Sequence, residues 1–273
     1  MRSPFASIVI NGLLIGLTLI TLLPLGWMLS VSLMQPGAAS ALPPPLLPEI
    51  PTFANYRELF ARGGMLRFLL NSLLLATAVT ACSLVLNTLA GYAFAKLRFA
   101  GRDRIFKTLI GALVIPGQVA MMPLFLLLKH MGLVNTYGGV IVPAMAGIFG
   151  IYLVRQYART IPDELLEAAR VDGAGELRIF ISIVVPLLGP ILASLAIFTF
   201  LGCWNEFMWP LIVLSDSQLQ PLPVALASLA QEHVQDNEMM MAGSVVTVLP
   251  VLVLFLFLQR HYINGLLLGG VKG

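Results

Sequence analysis

The chain has 273 residues, of which 58% are hydrophobic and only 11% are charged. This composition excludes a soluble domain of the same size and predicts an integral membrane protein. The net charge of +3 implies no nucleic acid partner, because membrane topology accounts for the positions of Lys and Arg.

Six apolar stretches are long enough to cross a bilayer, which takes a helix of about 20 residues. They predict an all-α, polytopic fold with six transmembrane helices in a single transmembrane domain, 1–273. The predicted spans are 8–33, 68–95, 108–128, 135–158, 183–212 and 239–260, with outer segments at 35–67 and 213–238.

The basic residues predict the orientation, because Lys and Arg favour the cytoplasmic side of short loops. If both termini are cytoplasmic, 12 of the 16 basic residues lie inside, and those outside are Arg57, Arg62, Arg67 and Lys129. The opposite orientation inverts this ratio. Both termini and the charged loop 161–182 are therefore expected in the cytoplasm.

The first span begins after Arg2 and contains Gly12 and Gly16, a GxxxG spacing that allows a neighbouring helix to approach. A removable signal peptide is the competing interpretation, since residues 39–41 read Ala-Ser-Ala, as at a cleavage site. The apolar run is longer than such peptides have, so a retained span is favoured.

The first outer segment contains six prolines between positions 36 and 51, which exclude a regular helix there. Residues 52–60 are expected to form a short interfacial helix with aromatic side chains on one side, and packing across the outer mouth is its expected role. Those side chains are Phe53, Tyr56 and Phe60.

The second span ends in GYAFAKLRFAGRD, residues 91–103, where two aromatic residues give way to a basic turn. The basic residues from Lys96 to Lys107 are interpreted mainly as a cytoplasmic anchor. Lys107 and Thr108 do not belong to a phosphate-binding loop, because Phe106 stands where that motif requires Gly.

Prolines interrupt the third and fourth spans at Pro116, Pro123 and Pro143, with glycines scattered among them. Breaks and kinks are therefore expected. In a membrane, irregular backbone is tolerated where it packs in protein or lines a water-filled cavity, so these spans could surround a pathway as well as bend.

Residues 161–186 form the only long charged segment of the chain. Pro162, followed by two acids, predicts the start of a short helix, and Gly173 and Gly175 predict its end. A second helix with an apolar face should follow and continue into the fifth span. The apolar positions with helical spacing are Leu177, Phe180, Ile181 and Val184.

The first of these helices carries two small residues, Ala168 and Ala169, one turn after Leu165. Small side chains let another surface approach the backbone closely. Glu167 and Arg170 surround this patch with charge, so the helix is predicted to be a contact surface for a partner.

The fifth span ends in WNEFMWPLIVLSD, residues 204–216, in which Trp204 and Trp209 are predicted to form an outer aromatic belt. Glu206 is the one acid embedded in this apolar stretch, and an ionisable group within a span suggests a functional site. We therefore predict that Glu206, with Trp204 and Asn205, lines the solute pathway. On a continuous helix, at about 1.5 Å per residue, Glu206 lies about 35 Å beyond Ile183, near the outer interface. A role as an interfacial anchor therefore remains an alternative.

The second outer segment is acidic and contains neither Lys nor Arg between positions 215 and 242. Its apolar stretch PVALASLAQE is expected to form a re-entrant or partner-facing helix.

The chemistry of an enzyme is missing from the sequence. No nucleotide-binding loop or group of nucleophile, base and acid is present, and the histidines and cysteines have no metal-ligand spacing. The chain is therefore expected to catalyse nothing alone and to bind no metal. The residues considered are His130, His233, His261, Cys82 and Cys203.

Three segments resemble one family, the permeases of bacterial binding-protein-dependent importers driven by ATP. Glu167, Ala168, Ala169 and Gly173, followed after nine residues by the segment 183–186, resemble the EAA loop of these permeases, although Val185 stands where the family usually has Leu. The segment 91–103 is similar to a GYAFA-K-F-GR segment at the corresponding position. The tail 259–273, QRHYINGLLLGGVKG, resembles that of the second membrane subunit of maltose-type sugar transporters.

The resemblance covers nearly the whole chain and implies a type I ABC importer permease for a sugar or polyol, in the bacterial cytoplasmic membrane. It implies a second permease as heterodimer partner, two ATPase subunits that bind ATP and Mg, and an external solute-binding protein. The loop 161–182, hereafter the coupling loop, would contact the ATPases. The implied contact residues are Glu167, Ala168, Ala169, Arg170, Asp172 and Gly173, together with Gly269, Gly270, Val271, Lys272 and Gly273 of the tail.

Other functions are less well supported by the residues. An ion-coupled secondary transporter needs ionisable groups at the bilayer midplane. This chain offers no Asp, Lys or Arg there, and Glu206 is expected near the interface. A membrane-embedded enzyme needs a polar cluster that the sequence lacks. A permease of the same fold for a non-sugar solute remains an alternative, because specificity belongs largely to the binding protein.

Overall fold

A computed structural model describes the backbone of residues 4–61, 64–232 and 236–270 and the side chains of 9–61, 64–230 and 236–256. Several residues used in the predictions lie outside the described residues, namely Arg2, Arg62, His233, Val271, Lys272 and Gly273. The side chains of Arg260 and His261 also lie outside these ranges.

Every regular element in the described ranges is helical, which confirms the all-α prediction. A π-helical turn, Phe180–Val184, joins the short helices α9 and α10. The helices are α1 (Pro4–Ser32), α2 (Ala54–Ala61), α3 (Met65–Lys96), α4 (Arg102–Ala112), α5 (Gly117–His130), α6 (Tyr137–Ala144), α7 (Ile148–Ala158), α8 (Asp163–Val171), α9 (Glu176–Ile179), α10 (Val185–Leu187), α11 (Gly189–Trp204), α12 (Met208–Val213), α13 (Leu222–Glu232) and α14 (Asn237–Gly270).

Four helical segments of the described chain are long and apolar enough to cross a membrane unaided. They are Val9–Ser32, Met65–Lys96, Tyr137–Ala158 and Asn237–Leu256. Two further pairs, α4 with α5 and α9–α10 with α11, meet the same criterion only when each bent pair is counted as one span. Counting both pairs gives the six spans of the sequence prediction.

The third predicted span, 108–128, is not one helix. α4 and α5 meet at an angle of 106° across a break of a few residues. Pro116 lies directly before α5 with extended backbone, and a proline there cannot continue the preceding helix. The expected break is confirmed, but its size makes two separate helices of a stretch that was predicted as a single span.

The fifth predicted span, 183–212, is also broken, because the helical stretch that ends at Leu187 and α11 differ in direction by 77°. Pro186 and Pro190 flank the bend, and each removes a backbone donor from the helix. The 35 Å separation expected between Ile183 and Glu206 assumed a straight helix, and this assumption is wrong.

Asn87, in the last third of α3, binds the backbone at the break between α6 and α7 in the fourth span. Its side chain is 1% exposed, and its Oδ1 accepts a hydrogen bond of 3.1 Å from the backbone N–H of Gly147, directly before α7. Asn87 Nδ2 donates to Ser83 at 2.7 Å. A backbone group freed by the break is thus satisfied inside the protein, as membrane-embedded backbone requires.

The chain divides into two compact units, of which the first comprises the described residues of 1–69 and 222–252. As predicted, 36–51 is irregular apart from the 3₁₀ turn Ala38–Ser40, and a helix, α2, follows it. Asn55 of α2 donates to the carbonyls of Ser32 and Met34, at 2.9 and 2.8 Å, and so fixes α2 against the end of α1.

The GxxxG of α1 has no packing partner within the described chain. No atom lies within 4 Å of the positions that a Cβ would occupy at Gly12 or Gly16. The close helix approach that this spacing allows is therefore not made by another described segment of this protein.

The second unit comprises 70–221 and the described residues of 253–273. One of its cores gathers the ends of α3 and α7, the helix α8 and the segment from α9 to α11, and this core carries the coupling loop. Its buried members are Tyr92, Val154, Ala158, Ile161, Leu166, Ile179, Val184, Leu188, Ile191 and Leu195.

The predicted outer aromatic belt is wrong, because both tryptophans are packed inside the second unit. Trp204 is 1% exposed and stacks on Phe200, and Trp209 is 8% exposed. The indole N–H of Trp209 donates to the carbonyl of Gly139 at 3.1 Å, so this ring finds in the interior the polar partner that a belt would find in water.

Candidate functional site

The coupling loop folds as its local sequence predicts. α8 begins at Asp163, directly after Pro162, with two acids in its first turn and Arg170 in its last, which complements the helix dipole at both ends. Gly173 has φ +82°, a left-handed conformation that closes the helix. The N–H of Ala174 donates to the carbonyl of Ala169 at 2.9 Å within this turn. The predicted helix, glycine turn and start of a second helix are thus confirmed, but the second helix does not continue straight into the fifth span, because the chain bends by 77° before α11.

A single leucine seats α8 on the protein. Leu166 is 1% exposed and packs in the core together with Ile179 and Val184, which are 0% exposed. Full burial of one leucine side chain is worth about 1.5–3 kcal/mol relative to water. One face of α8 is therefore held firmly while the other faces outward.

The outward side of α8 carries an apolar patch among charged side chains. Leu165 is 43% exposed and Val171 is 88% exposed, and Ala168 is exposed between them. Glu167 is also exposed, beside this patch, whereas Ala169 is half-buried against the protein's own core. Of the two predicted small residues, Ala168 alone is fully exposed.

Arg170 does not face outward as an unpaired charge. Its Nε donates to Glu176 Oε1 at 2.7 Å, so the ion pair crosses the glycine turn and joins α8 to α9. Glu176 raises the pKa of Arg170 by this hydrogen bond. Of the two charges predicted around the patch, Glu167 and Arg170, only Glu167 has no such ion pair within the described chain. Asp172 is also exposed.

Glu176 also joins the coupling loop to α3. The hydroxyl of Tyr92 donates to Glu176 Oε2 at 3.1 Å, and the Tyr92 ring packs against Phe180 with centroids 5.2 Å apart. Tyr92, Glu176 and Arg170 thus form one chain of hydrogen bonds, hereafter the tyrosine bridge. It links the end of a long helix to both helices of the loop.

A second connection, hereafter the lysine bridge, lies at the last residue of α3. Lys96 Nζ is 2.5 Å from the carbonyl oxygen of Ile161 and 2.5 Å from Asp163 Oδ1. The Lys96 side chain is 6% exposed, whereas that of Asp163 is 74% exposed. The hydrogen bond from Lys96 lowers the pKa of Asp163.

Three residues of the bridges, Tyr92, Lys96 and Glu176, were not predicted as part of the site, whereas Arg170 was. Lys96 was interpreted as a topological anchor, and Tyr92 and Glu176 were given no role. One signal was available, because Tyr92 and Lys96 are four residues apart and share one face of α3. Polar groups on one face at the end of a span indicate a contact with the loop on that side.

Beneath the loop, α3 and α7 are in close contact at Gly91. A Cβ at this position would lie 2.6 Å from two side-chain atoms of Val154, so only glycine fits without movement. Arg155 follows on α7, and its Nε donates to the carbonyl of Phe94 at 3.2 Å. The end of α3, which carries both bridges, is thereby held against α7.

The residues predicted for a solute pathway have different surroundings. Trp204 is buried. Asn205 is exposed, and its amide donates to the carbonyl of Leu201 at 2.9 Å. Glu206 is half-buried, and its Oε1 accepts from the backbone N–H of Trp209 at 3.2 Å. Glu206 therefore caps α12, a local role that was not among the sequence predictions.

The predicted C-terminal contact residues are described only in part. Gly269 and Gly270 form the last turn of α14, which continues well beyond the predicted end of the sixth span at 260. In the part of the chain that the structure describes, no three His, Cys, Asp or Glu residues are grouped so that they could hold a metal ion.

Residues 87–266 match the family model described as "Binding-protein-dependent transport system inner membrane component". This range contains the coupling loop and both bridges. A similar protein is the arabinooligosaccharides transport system permease protein AraQ of Halalkalibacterium halodurans, which is 39% identical over 89% of this chain and 86% of its own. AraQ of Bacillus subtilis is 38% identical over 83% of this chain and 81% of its own.

The fold is similar to that of a chain in the crystal structure of a bacterial ABC transporter involved in the import of the acidic polysaccharide alginate. The TM-score is 0.84 at 23% sequence identity, and the match covers 95% of this chain and 98% of the other. The two chains thus share one fold.

Proposed function

Because the chain belongs to the family of binding-protein-dependent transport system inner membrane components, we propose that it is the permease subunit of an ATP-driven importer for a carbohydrate, either a sugar or a polyol. The observation that carries this proposal is the coupling loop, which presents an exposed apolar face beside Glu167 and is bound to α3 by two polar bridges. The arabinooligosaccharide permeases among its relatives support the carbohydrate class.

The movement that ATP drives in the partner ATPase subunits is transmitted to this chain through the coupling loop. The apolar patch of Leu165, Ala168 and Val171 lies in a cleft of the ATPase, and Glu167 pairs with a basic group there. Gly173 fixes the turn, and Asp172 borders the contact. Arg170 and Ala169 act from the inner side, Arg170 through Glu176 and Ala169 by packing.

The two bridges connect the coupling loop to α3, so that a movement of the loop is transmitted to this helix. A displacement of α8 acts on Asp163 and, through Arg170 and Glu176, on Tyr92. Both paths end on the same helix, α3, within its last two turns. Closure of the ATPase subunits therefore moves α3 together with the loop, and the spans attached to it pass between inward-facing and outward-facing arrangements.

The chain works with partners. A second permease completes the translocation pathway as a heterodimer, two ATP-binding subunits carry ATP and Mg, and an external solute-binding protein delivers the solute. This subunit binds no cofactor itself and hydrolyses nothing. The tail, from Gly269 to Gly273, adds a further contact with the ATPases, and both termini lie in the cytoplasm.

The solute pathway of this subunit includes Asn205 and Glu206. Asn205 is exposed at the end of α11, and Glu206 keeps one carboxylate oxygen beyond the one that caps α12. A carboxylate and an amide at a helix end supply the hydrogen-bonding groups that a sugar hydroxyl needs.

Transport by the whole complex tests the proposal. Proteoliposomes that contain both permeases and the ATPases are supplied with the binding protein and a panel of labelled sugars and polyols. We expect vanadate-sensitive uptake of a carbohydrate that depends on internal ATP. Gradient-driven uptake by this chain alone would instead identify a secondary transporter. ATP-dependent uptake of only a non-carbohydrate solute would refute the assignment of a carbohydrate substrate.

A further inference from the structure

A basic cleft of about 490 Å³ lies where α3 passes into α4. Its wall contains three guanidinium groups and one carboxylate. The lining residues are Arg98, Phe99, Gly101, Arg102, Asp103 and Arg104. Neither bridge of the coupling loop uses any of these side chains.

The carboxylate in this cleft is already paired. Arg102 Nε donates to Asp103 Oδ1 at 3.1 Å, and Arg102 Nη1 donates to the carbonyl of Leu97 at 3.2 Å. Arg98 and Arg104 are exposed, and neither guanidinium has a hydrogen-bond or ion-pair partner within the described part of the chain. The cleft therefore presents two guanidinium groups that make no hydrogen bond there, although Arg98 contributes electrostatically to the lowered pKa of Asp163. A planar guanidinium matches the oxygens of a phosphate.

The cleft follows directly after Lys96, the last residue of α3, which is long and apolar enough to cross a membrane. An end of such a helix lies next to the membrane surface. Phe106 holds α4 to the protein, since its ring is 5.5 Å from that of Phe94 and the guanidinium carbon of Arg155 lies 3.9 Å above it. Ile105 and Val114 are 48% and 83% exposed, as expected of side chains that enter lipid.

We propose that this cleft binds the phosphate of an anionic phospholipid of the cytoplasmic leaflet. The proposal rests on the orientation given under the proposed function, in which the α3–α4 turn is cytoplasmic. A basic cleft next to a span on that side is the arrangement that attracts anionic headgroups. Topology alone requires charge on this side, but it does not require a cleft with two unpaired guanidiniums around it.

Lipid binding to the purified complex tests this directly and does not depend on transport. Native mass spectrometry would count the phosphatidylglycerol and phosphatidylcholine molecules retained by wild type, by the double variant Arg98→Gln/Arg104→Gln, and by Arg159→Gln. Arg159 is the matched control, because it is an exposed arginine at the end of α7 on the same predicted side and outside the cleft. Arg102 is left intact because of its bonds to Asp103 and Leu97.

We expect wild type to retain phosphatidylglycerol in preference to phosphatidylcholine, and Arg159→Gln to do the same. The double variant should bind phosphatidylglycerol more weakly, by about fivefold for each arginine removed and about 25-fold for both. Equal retention by wild type and the double variant would overturn the proposal. So would an equal loss in Arg159→Gln, which would indicate a general charge effect.

Inorganic phosphate distinguishes a lipid headgroup from a free anion at this cleft. Because the acyl chains of the lipid also contribute to binding, we expect added phosphate to leave phosphatidylglycerol bound. Displacement of the lipid by inorganic phosphate at equal concentration would identify a free-anion site and would refute the lipid assignment.

Discussion

The ammonium group of Lys96, at the last residue of α3, lies 2.5 Å from a carboxylate oxygen of Asp163, at the first residue of α8. The same group lies 2.5 Å from the carbonyl oxygen of Ile161. One side chain thus satisfies two acceptors at the entrance to the coupling loop. Because the Lys96 side chain is almost fully buried, few other groups can replace it.

Lys96→Met removes both hydrogen bonds of the lysine bridge but keeps the apolar stem of the side chain. We expect the complex to assemble and to keep its basal ATPase activity, with a large decrease in solute uptake per ATP hydrolysed. The measurement is the ratio of uptake to hydrolysis in proteoliposomes. The control is Arg159→Gln, which removes an exposed charge just before the coupling loop in the sequence. An unchanged ratio of uptake to hydrolysis in Lys96→Met would mean that the lysine bridge does not transmit movement.

The pH dependence of the lysine bridge has a definite sign. The hydrogen bond from Lys96 lowers the pKa of Asp163 in the folded protein, so its contribution is fully present above the ordinary Asp value of about 3.9. It is lost only as the pH falls through the lower folded value. The ratio of uptake between wild type and Asp163→Asn should therefore be constant from about pH 8 to about pH 5. A ratio that approaches one within this range would contradict the assignment.

Gly173 and Gly175 provide a matched pair of substitutions on either side of Ala174. Gly173 has φ +82°, whereas Gly175 has φ −72°, and neither would bring a new Cβ within 4 Å of another group. Gly173→Ala should therefore cost about 1–2 kcal/mol of backbone strain in the loop, and Gly175→Ala should be tolerated. Solute-stimulated ATPase activity of the assembled complex measures the difference, and equal activities would show that the left-handed turn is dispensable.

Glu167 tests the electrostatic part of the contact with the ATPase. Its side chain is exposed beside the apolar patch of α8, so Glu167→Lys should not disturb the fold of this subunit. We expect the variant to lose solute-stimulated ATP hydrolysis by repulsion of a basic group on the ATPase. Glu164→Lys, on an exposed position of the first turn of α8, is the comparison. Normal coupled uptake in Glu167→Lys would remove this residue from the contact.

The local structure of the coupling loop could be predicted because its signals are local. Pro162, the acids after it and Gly173 each act on backbone within one or two turns. The bridges could not be predicted, because Tyr92 and Glu176 are 84 residues apart and Lys96 and Asp163 are 67 residues apart. No periodicity within one helix reports such pairs.

The bends show a different limit of the sequence. Pro116 and Pro186 indicate that helices are interrupted, but the angles of 106° and 77° depend on what packs against each half. The tryptophans were misplaced for a related reason. A Trp at the end of a span suits a water interface and a buried acceptor equally well, and the carbonyl of Gly139 is visible only in three dimensions.

Gly91 offers a steric test of the contact that holds the end of α3 in place. In Gly91→Ala the new Cβ would lie 2.6 Å from side-chain atoms of Val154, which is closer than van der Waals contact allows. We expect this overpacking to destabilise the subunit by about 1–3 kcal/mol. Val154 is 0% exposed, so it has little room to move away.

Gly202→Ala is the control for Gly91→Ala, because Gly202 is also a glycine within a long apolar helix but has no atom within 4 Å of a new Cβ. In Gly202→Ala, the higher helix propensity of alanine should stabilise the protein by up to about 1 kcal/mol, because no steric clash offsets it. Thermal unfolding of the purified complex compares the two variants. A second substitution, Val154→Ala in the Gly91→Ala background, should recover part of the stability, because it removes the clashing Cγ1 of Val154 and keeps its Cβ. If Gly91→Ala is as stable as Gly202→Ala, the close packing of Gly91 on Val154 does not hold α3 against α7.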